Sequence, residues 1–331
     1  MVCTIMPHSI ITLLADGKTH SGVELGQSLG ITRAAVGKQI TKLKEMGFQI
    51  TCIKGVGYQL LMPFERLDAA QINMDLNERA LGFVPSVEVV WSLASTNDYL
   101  MSKIKMGHIT SSGFACLAEY QSSGRGRRGK AWISPLGAGL YWSLAWRFEQ
   151  GAESLEGLSL SVALAIVEVL ERECLIKKPK IKWPNDIFLN DKKLGGILID
   201  VMGEAGGPCW AVIGVGLNIY SAELTMQSVD QPWIGLSAHA GTEISRNRLA
   251  ASLIASVIKK VRAHECDGFQ ISAREWSKYD AFLGENVVVK MGDNNFFSGV
   301  SQGISKTGGL IVEGQGVRKV IKSGEVSLRR A

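Results

Sequence analysis

The sequence predicts a multidomain α+β protein: a winged helix-turn-helix unit, a central mixed sheet and a small C-terminal β-barrel. At 331 residues the chain exceeds the usual single-domain range. Residues 9–60 combine helix caps with a hairpin, and from Glu88 onward short apolar strands alternate with helical stretches. After Asn286 the pattern is short strands spaced by Gly, Asn and Asp turns. The expected units are 1–65, 66–275 and 276–331.

The first unit opens with an apolar helix around Ile10 to Leu14 and a turn at Asp16-Gly17. Ser21 with Glu24 makes a capping box for the next helix, which Gly30 ends. Thr32 is placed to cap a third helix from Arg33 to Met46, with Ala34, Ala35, Ile40 and Leu43 expected to face inward. Phe48 to Leu60 then reads as a two-stranded wing, and Pro63 with the polar residues after it as a linker. Three-helix units bind proteins as well as nucleic acid, and basic helix faces are often only solvated. Helix-turn-helix spacing, a basic third helix and a wing together favour DNA, through Ser21, Thr32, Arg33, Lys38, Gln39 and Lys42.

In the central unit, strands are expected at Val87–Trp91, Phe114–Tyr120, Gly139–Phe148, Ile197–Met202 and Ala211–Ile219, with a buried helix from Leu158 to Cys174. Asp186–Asn190 and Lys193–Asp200 flank a polar turn, as an antiparallel pair does, so a mixed sheet fits better than a doubly wound parallel one. The barrel strands are expected at Asn286–Lys290, Phe296–Gln302, Gly309–Glu313 and Arg318–Ile321.

Composition narrows the function classes. The hydrophobic fraction of 46% is that of a folded globular chain, and the longest apolar run, Leu158 to Val167, is too short and interrupted to span a bilayer. With no secretory signal in Met1 to Leu14, a cytoplasmic protein without membrane contact is expected. The cysteines and histidines lack metal-ligand spacing, and no Ser/His/Asp arrangement is apparent, so neither a protein-bound metal nor acyl-enzyme chemistry is expected. A net charge of +5 permits nucleic-acid binding only where basic residues cluster.

The loudest local signal is Gly124-Arg-Gly-Arg-Arg-Gly-Lys130, which satisfies both the P-loop and the dinucleotide patterns formally. Neither fits chemically. Ala131 stands where a P-loop has Ser or Thr, and Trp132 to Pro135 prevents the helix on whose N-terminus a phosphate would sit. What remains is a loop whose glycines admit a ligand close to backbone, with Arg125, Arg127 and Arg128 suited to carboxylate or phosphate oxygens. A solvated basic loop binding nucleic acid nonspecifically is the alternative.

Glu119 to Lys130 resembles the biotin-binding loop of biotin protein ligases. Ser95-Thr96-Asn97 is similar to that family's Ser-Thr-Asn element, Lys182-Trp-Pro-Asn-Asp186 to its Lys-Trp-Pro-Asn-Asp block, and Lys193-Leu-Gly-Gly-Ile197 to the lysine-bearing strand after it. Gly214-Val-Gly216-Leu-Asn218 and the segment to Trp233 resemble a strand end and an adenine-ordering loop. The resemblance extends to the subgroup that doubles as biotin operon repressor.

The resemblance implies a class II synthetase-like catalytic domain and an SH3-like barrel, biotin, ATP and Mg2+ (bound mainly through ATP), and biotinyl-5′-AMP as intermediate and corepressor. A lysine of the biotin carboxyl carrier protein of acetyl-CoA carboxylase would accept biotin, and a homodimer loaded with biotinyl-5′-AMP would bind operator DNA. Carried over by position, Ser95, Thr96, Asn97, Gln121, Gly124, Arg125, Gly126, Arg127 and Lys193 would hold biotin, with Lys193 and Arg127 catalytic. Arg128, Trp132, Lys182, Asn185, Asp186, Asn218 and Trp233 would hold the adenylate. Ser95 to Asn97 also suits a helix cap, Lys193 a surface turn and Trp233 a core position. A lipoate or octanoate ligase-type acyltransferase and a ligand-sensing transcription factor without catalysis are the alternative readings.

Overall fold

The structure, a computed structural model, describes residues 8–61, 64–77, 79, 85–203, 206–220, 231–269, 273–291, 295–322 and 326–330. The N-terminal unit packs helices α1 (His8–Leu14), α2 (Gly22–Leu29) and α3 (Arg33–Glu45). Its caps are those the sequence specifies: Ser21 and Glu24 bond each other's backbone, Gly30 is left-handed at φ 65°, and Thr32 Oγ1 accepts from Ala35 N at 3.2 Å. The inward stripe of α3 differs from expectation. Val36, Ile40 and Leu43 are buried, whereas Ala34 is exposed and Ala35 half-buried. At 3.6 residues per turn Ala34 lies about 160° round the helix from Val36, so both cannot face the core.

Strands β1 (Ile50–Ile53) and β2 (Gly57–Leu60) form the antiparallel wing, with Ile50 opposite Leu60. Tyr58 also exchanges backbone hydrogen bonds with His20, tying the wing to the turn before α2. A side chain at Gly57 would meet His20 O at 2.1 Å, which explains the glycine there.

Pro63 lies outside the described residues, but the segment after it is no loose linker. Phe64 and Leu67 are buried, and Glu65 accepts hydrogen bonds from Ser245 Oγ, the Arg246 backbone and Asn247 Nδ2. Phe64 stands edge-on to Phe48 of the head at 5.3 Å and packs against Gly137. The apolar residues in a polar stretch, Phe64 and Leu67, were the overlooked signal.

The central sheet runs β3 (Ser86–Leu93), β4 (Phe114–Gln121), β5 (Gly139–Phe148), β9 (Cys209–Asn218), β8 (Lys192–Gly203), β7 (Asp186–Leu189), β6 (Lys180–Lys182). β3 and β4 are parallel and the other pairs antiparallel, the mixed arrangement expected. Helices α4 (Ala69–Asn77), α6 (Leu158–Glu173) and α7 (Arg246–Asp267) cover one face, burying Leu140, Trp142 and Leu144 of β5. The alternate residues of β5 point the other way, where α5 (Thr96–Lys105) covers Ala145 and Val212 but not the Lys193 end of β8. That uncovered part of the sheet is where a ligand can lie.

Helix α8 (Ala273–Tyr279) leads to an all-antiparallel sheet of order β13 (Val317–Ile321), β12 (Leu310–Gly314), β11 (Asn295–Ile304), β10 (Asn286–Met291), β14 (Val326–Arg330). Its last strand, β14, has only Val326 and Leu328 as an apolar pattern and was not expected. Trp183 Nε1 donates to Gly308 O at 2.9 Å, and Ala281 N to Ile181 O at 3.0 Å, so this unit is docked on the central sheet.

Candidate active site

A cavity of about 550 Å³ opens over the uncovered sheet face, within the range of small-molecule sites. It is lined by every central residue singled out from the sequence except Gly124: Ser95, Thr96, Asn97, Gln121, Arg125, Gly126, Arg127, Arg128, Trp132, Lys182, Asn185, Asp186, Lys193, Asn218 and Trp233. Gly124 stands just behind, its carbonyl accepting from Trp132 N at 2.8 Å. Residues 221–230, most of the segment expected to order around adenine, lie outside the described residues.

One end of the cavity is neutral, polar and largely buried. Ser95 caps α5, accepting from Asp98 N, so the helix turns Thr96 and Asn97 inward. Gln121 Oε1, at the end of β4, accepts from Thr96 N at 2.8 Å, and Gln121 Nε2 donates to Ser134 Oγ at 2.9 Å. Ser143 Oγ donates to Asn97 Oδ1 at 2.6 Å and lies 2.7 Å from Thr96 Oγ1. Asn97 Nδ2 donates to Asp200 Oδ2 at 2.8 Å. A side chain at Gly214 would meet Asn97 Oδ1 at 2.2 Å, so this network exists because β9 carries glycine there. Ser95 therefore both caps the helix and lines the cavity, while Thr96 and Asn97 line it from the first turn.

The glycine loop forms a small hairpin rather than a helix start. Gly126 N donates to Lys130 O at 2.7 Å, and Arg128 sits in the left-handed region at φ 59°. The hairpin carries Trp132 down onto β9, where its ring replaces a side chain at Gly216: a Cβ there would lie 2.4 Å from the ring. Trp132 Nε1 is buried without a hydrogen-bond partner among the described residues. Arg125 turns outward, its Nη2 lying 2.6 Å from both Asp98 Oδ1 and Asp200 Oδ2.

The other end is basic. Lys193 Nζ lies 2.8 Å from Asp186 Oδ1 and 5.4 Å from the centre of the Trp132 ring, with lysine and aspartate side chains mostly buried. The Lys193 backbone is fixed on both sides, donating to Pro232 O and accepting from Ile234 N, so Trp233 runs parallel beside it. It is thus no surface-turn lysine. Arg127 Nη1 donates to Asn185 Oδ1 at 3.0 Å, while Lys182 lies over Phe188 and Phe282. Burial pulls both the Lys182 and the Arg127 pKa below their ordinary values, against the attraction of Asp186. Desolvated cations beside a neutral polar pocket suit an anion that arrives with its own charge.

Sequence reading missed Asp98, Asp200, Ser143, Ser134 and Arg329, the last reaching the cavity from β14. A serine inside the apolar run of β5 was the one available signal. The others meet the site only through the fold.

Three family models match the chain. The central one is described as the biotin/lipoate A/B protein ligase family and matches residues 89–218; an HTH domain matches 8–59, and a biotin protein ligase C terminal domain matches 282–329. The chain is 41% identical over 328 residues to the bifunctional ligase/repressor BirA of Salmonella typhimurium, covering 99% of both chains. The chain belongs to the bifunctional biotin ligase/repressor family.

The Escherichia coli member of that family is also 41% identical, over 98% of both chains, and the Bacillus subtilis member 28%, over 91% of both. Among solved structures, a biotin protein ligase from Aquifex aeolicus in complex with biotin and ATP superposes with a TM-score of 0.65 at 26% identity, covering 74% of this chain and 99% of that one. The ligase fold is therefore shared both with relatives matched along nearly their whole length and with a protein whose match covers three quarters of this chain. As a family member the chain is an ATP-dependent biotin ligase and a repressor, which sets aside the lipoate and sensor readings.

Proposed function

We propose that biotin binds with its ureido head at the Ser95, Thr96, Asn97 and Gln121 end, under the loop from Gly124 to Arg127, and its carboxylate at Lys193. ATP lies beyond, among Arg128, Trp132, Lys182, Asn185, Asp186, Asn218 and Trp233. A biotin carboxylate oxygen attacks the α-phosphorus, the bond to the β-phosphate breaks, and pyrophosphate leaves. The carrier lysine amine then attacks the acyl carbon of biotinyl-5′-AMP, loses its proton, and AMP departs.

The observation that carries this reading is Lys193. Its ammonium is fixed between Asp186 and the Trp132 face where the neutral end of the cavity meets the basic end. A carboxylate and a triphosphate repel each other, and a preorganised cation at their meeting point offsets that repulsion as charge develops. Arg127 serves as the second such group. Mg2+ would be bound mainly through ATP, shielding the charge of the triphosphate, since the Asp186 and Asn185 oxygens that line the cavity already face Lys193 and Arg127.

The head binds operator DNA through the exposed Arg33, Lys38 and Lys42 of α3, with Gln39 beside them and the Ser21 and Thr32 caps at its helix starts. Two half-sites require two heads, so the repressing form is a homodimer loaded with biotinyl-5′-AMP as corepressor. The acceptor is the biotin carboxyl carrier protein of acetyl-CoA carboxylase. Among the described residues no helix is long and apolar enough to cross a membrane.

Incubation with biotin, MgATP and a biotin-accepting carrier domain, read by streptavidin blot and pyrophosphate release, tests the chemistry. The wild-type chain should label the carrier. Lys193→Met should slow adenylation by about 100-fold or more while the protein still folds. An unlabelled carrier, or adenylation of lipoate alone, would remove the assignment.

A further inference from the structure

We infer that Asp98 and Asp200 are positioning residues that hold the glycine–arginine loop over the Ser95 to Gln121 end of the cavity by clamping Arg125 between them. The inference rests on the reading of this cavity as the biotin site. Arg125 Nη2 lies 2.6 Å from a carboxylate oxygen of each aspartate. The aspartates come from different elements: Asp98 from the first turn of α5, directly after Asn97, and Asp200 from β8, downstream of Lys193. The clamp thus joins the loop to both segments that present ligand-facing groups.

Asp200 has a second task. The oxygen that meets Arg125 also accepts from Asn97 Nδ2 at 2.8 Å, and Asn97 Oδ1 in turn accepts from Ser143. The position of the loop is therefore transmitted to the amide orientation of Asn97 inside the pocket. Two carboxylates against one guanidinium also leave Arg125 little positive charge to offer an incoming anion, whereas Arg127 bonds the neutral Asn185. Arg125 acts as a latch and Arg127 as a ligand-facing group.

The strength of the latch suits a loop that has to open. Side-chain exposures of 41% for Arg125, 52% for Asp98 and 23% for Asp200 place the pairs where water and salt screen them. Loop opening is then cheap enough to admit substrate, and closure adds to affinity rather than to the chemical step.

Biotin binding by calorimetry and steady-state pyrophosphate release should be measured for wild type, Asp98→Asn, Asp200→Asn, Asp200→Ala, Asp200→Glu and Arg125→Gln. Asp98→Asn and Asp200→Asn should each weaken biotin binding and raise its KM by about 5-fold, with kcat little changed. Asp98→Asn should add nothing in the Arg125→Gln background. Asp200→Glu should restore part of the affinity, and Asp200→Ala should lose more than Asp200→Asn, because only asparagine keeps an acceptor for Asn97. Without ligand, trypsin should cut within Gly124–Lys130 faster in Asp98→Asn and Asp200→Asn than in wild type. Unchanged KM and unchanged tryptic rate, or full additivity with Arg125→Gln, would overturn the clamp. Absence of biotin binding by the wild-type chain would instead overturn the site reading, and with it the ligand of the clamp, while the tryptic comparison still reports on the latch itself.

Discussion

Trp132 shows how much at this site turns on a glycine rather than on a charged residue. Its ring occupies the volume that a side chain at position 216 would fill, and Lys193 lies over its face. Gly216→Ala places a methyl group 2.4 Å from the ring and displaces it. Overpacking of this kind costs about 1–3 kcal/mol, so biotin and ATP affinity should fall by roughly 10- to 100-fold with the fold retained, as calorimetry would show. The lysines, arginines and amides that line the cavity stand in motifs that could be picked out of the sequence one segment at a time, and the fold brings those segments together. Asp98 and Asp200 were not, because an aspartate's partner is set by tertiary geometry and nothing local marks it.

Among the elements, the turn between α1 and α2 carries a pH-sensitive contact. His20 Nε2 lies 3.0 Å from Asp16 Oδ1 and Nδ1 lies 3.1 Å from Glu24 Oε1, an arrangement that both ring nitrogens satisfy as donors only in the imidazolium form. The bond to Asp16, with help from Glu24, raises the His20 pKa above its ordinary value despite partial burial. A raised folded-state pKa adds stability that is fully present below the unfolded value, about 6.5, and is lost as pH rises through the folded value. Amide exchange at His20 and Tyr58, which share backbone hydrogen bonds, should therefore quicken as pH-corrected rates are followed from pH 6 to 8. His20→Gln should abolish that slope, which is shallow because solvent screens the exposed partners. Capping residues made α2 and α3 readable from sequence to within a residue, since a cap is local chemistry. On α3, Ile40 and Leu43 were read inward as they stand, but Val36 takes the core place given to Ala34 and Ala35, because alanines fit either side of a helix and only packing against α1 and α2 chooses.

Across the whole molecule, the joint between head and catalytic unit rests on a buried ion pair. Arg246 and Glu119 are almost fully inaccessible, 2.8 Å apart, with Arg246 also donating to Glu65 O and Gly139 O and Glu119 accepting from Leu67 N. Arg246→Met strands the Glu119 carboxylate and should destabilise the protein by about 3–5 kcal/mol, read as a lower midpoint in urea. The three-unit plan was legible because each unit has its own hydrophobic period; the way they lock together was not, because it depends on single buried residues such as Phe64 and Trp183 meeting distant backbone. The anchoring of residues 64–68 bears on protein engineering. Exchanging the DNA-reading head for another would require the graft to bring its own Phe64 and Glu65 equivalents, since Phe64 and Leu67 are buried and Glu65 is bonded to the start of α7.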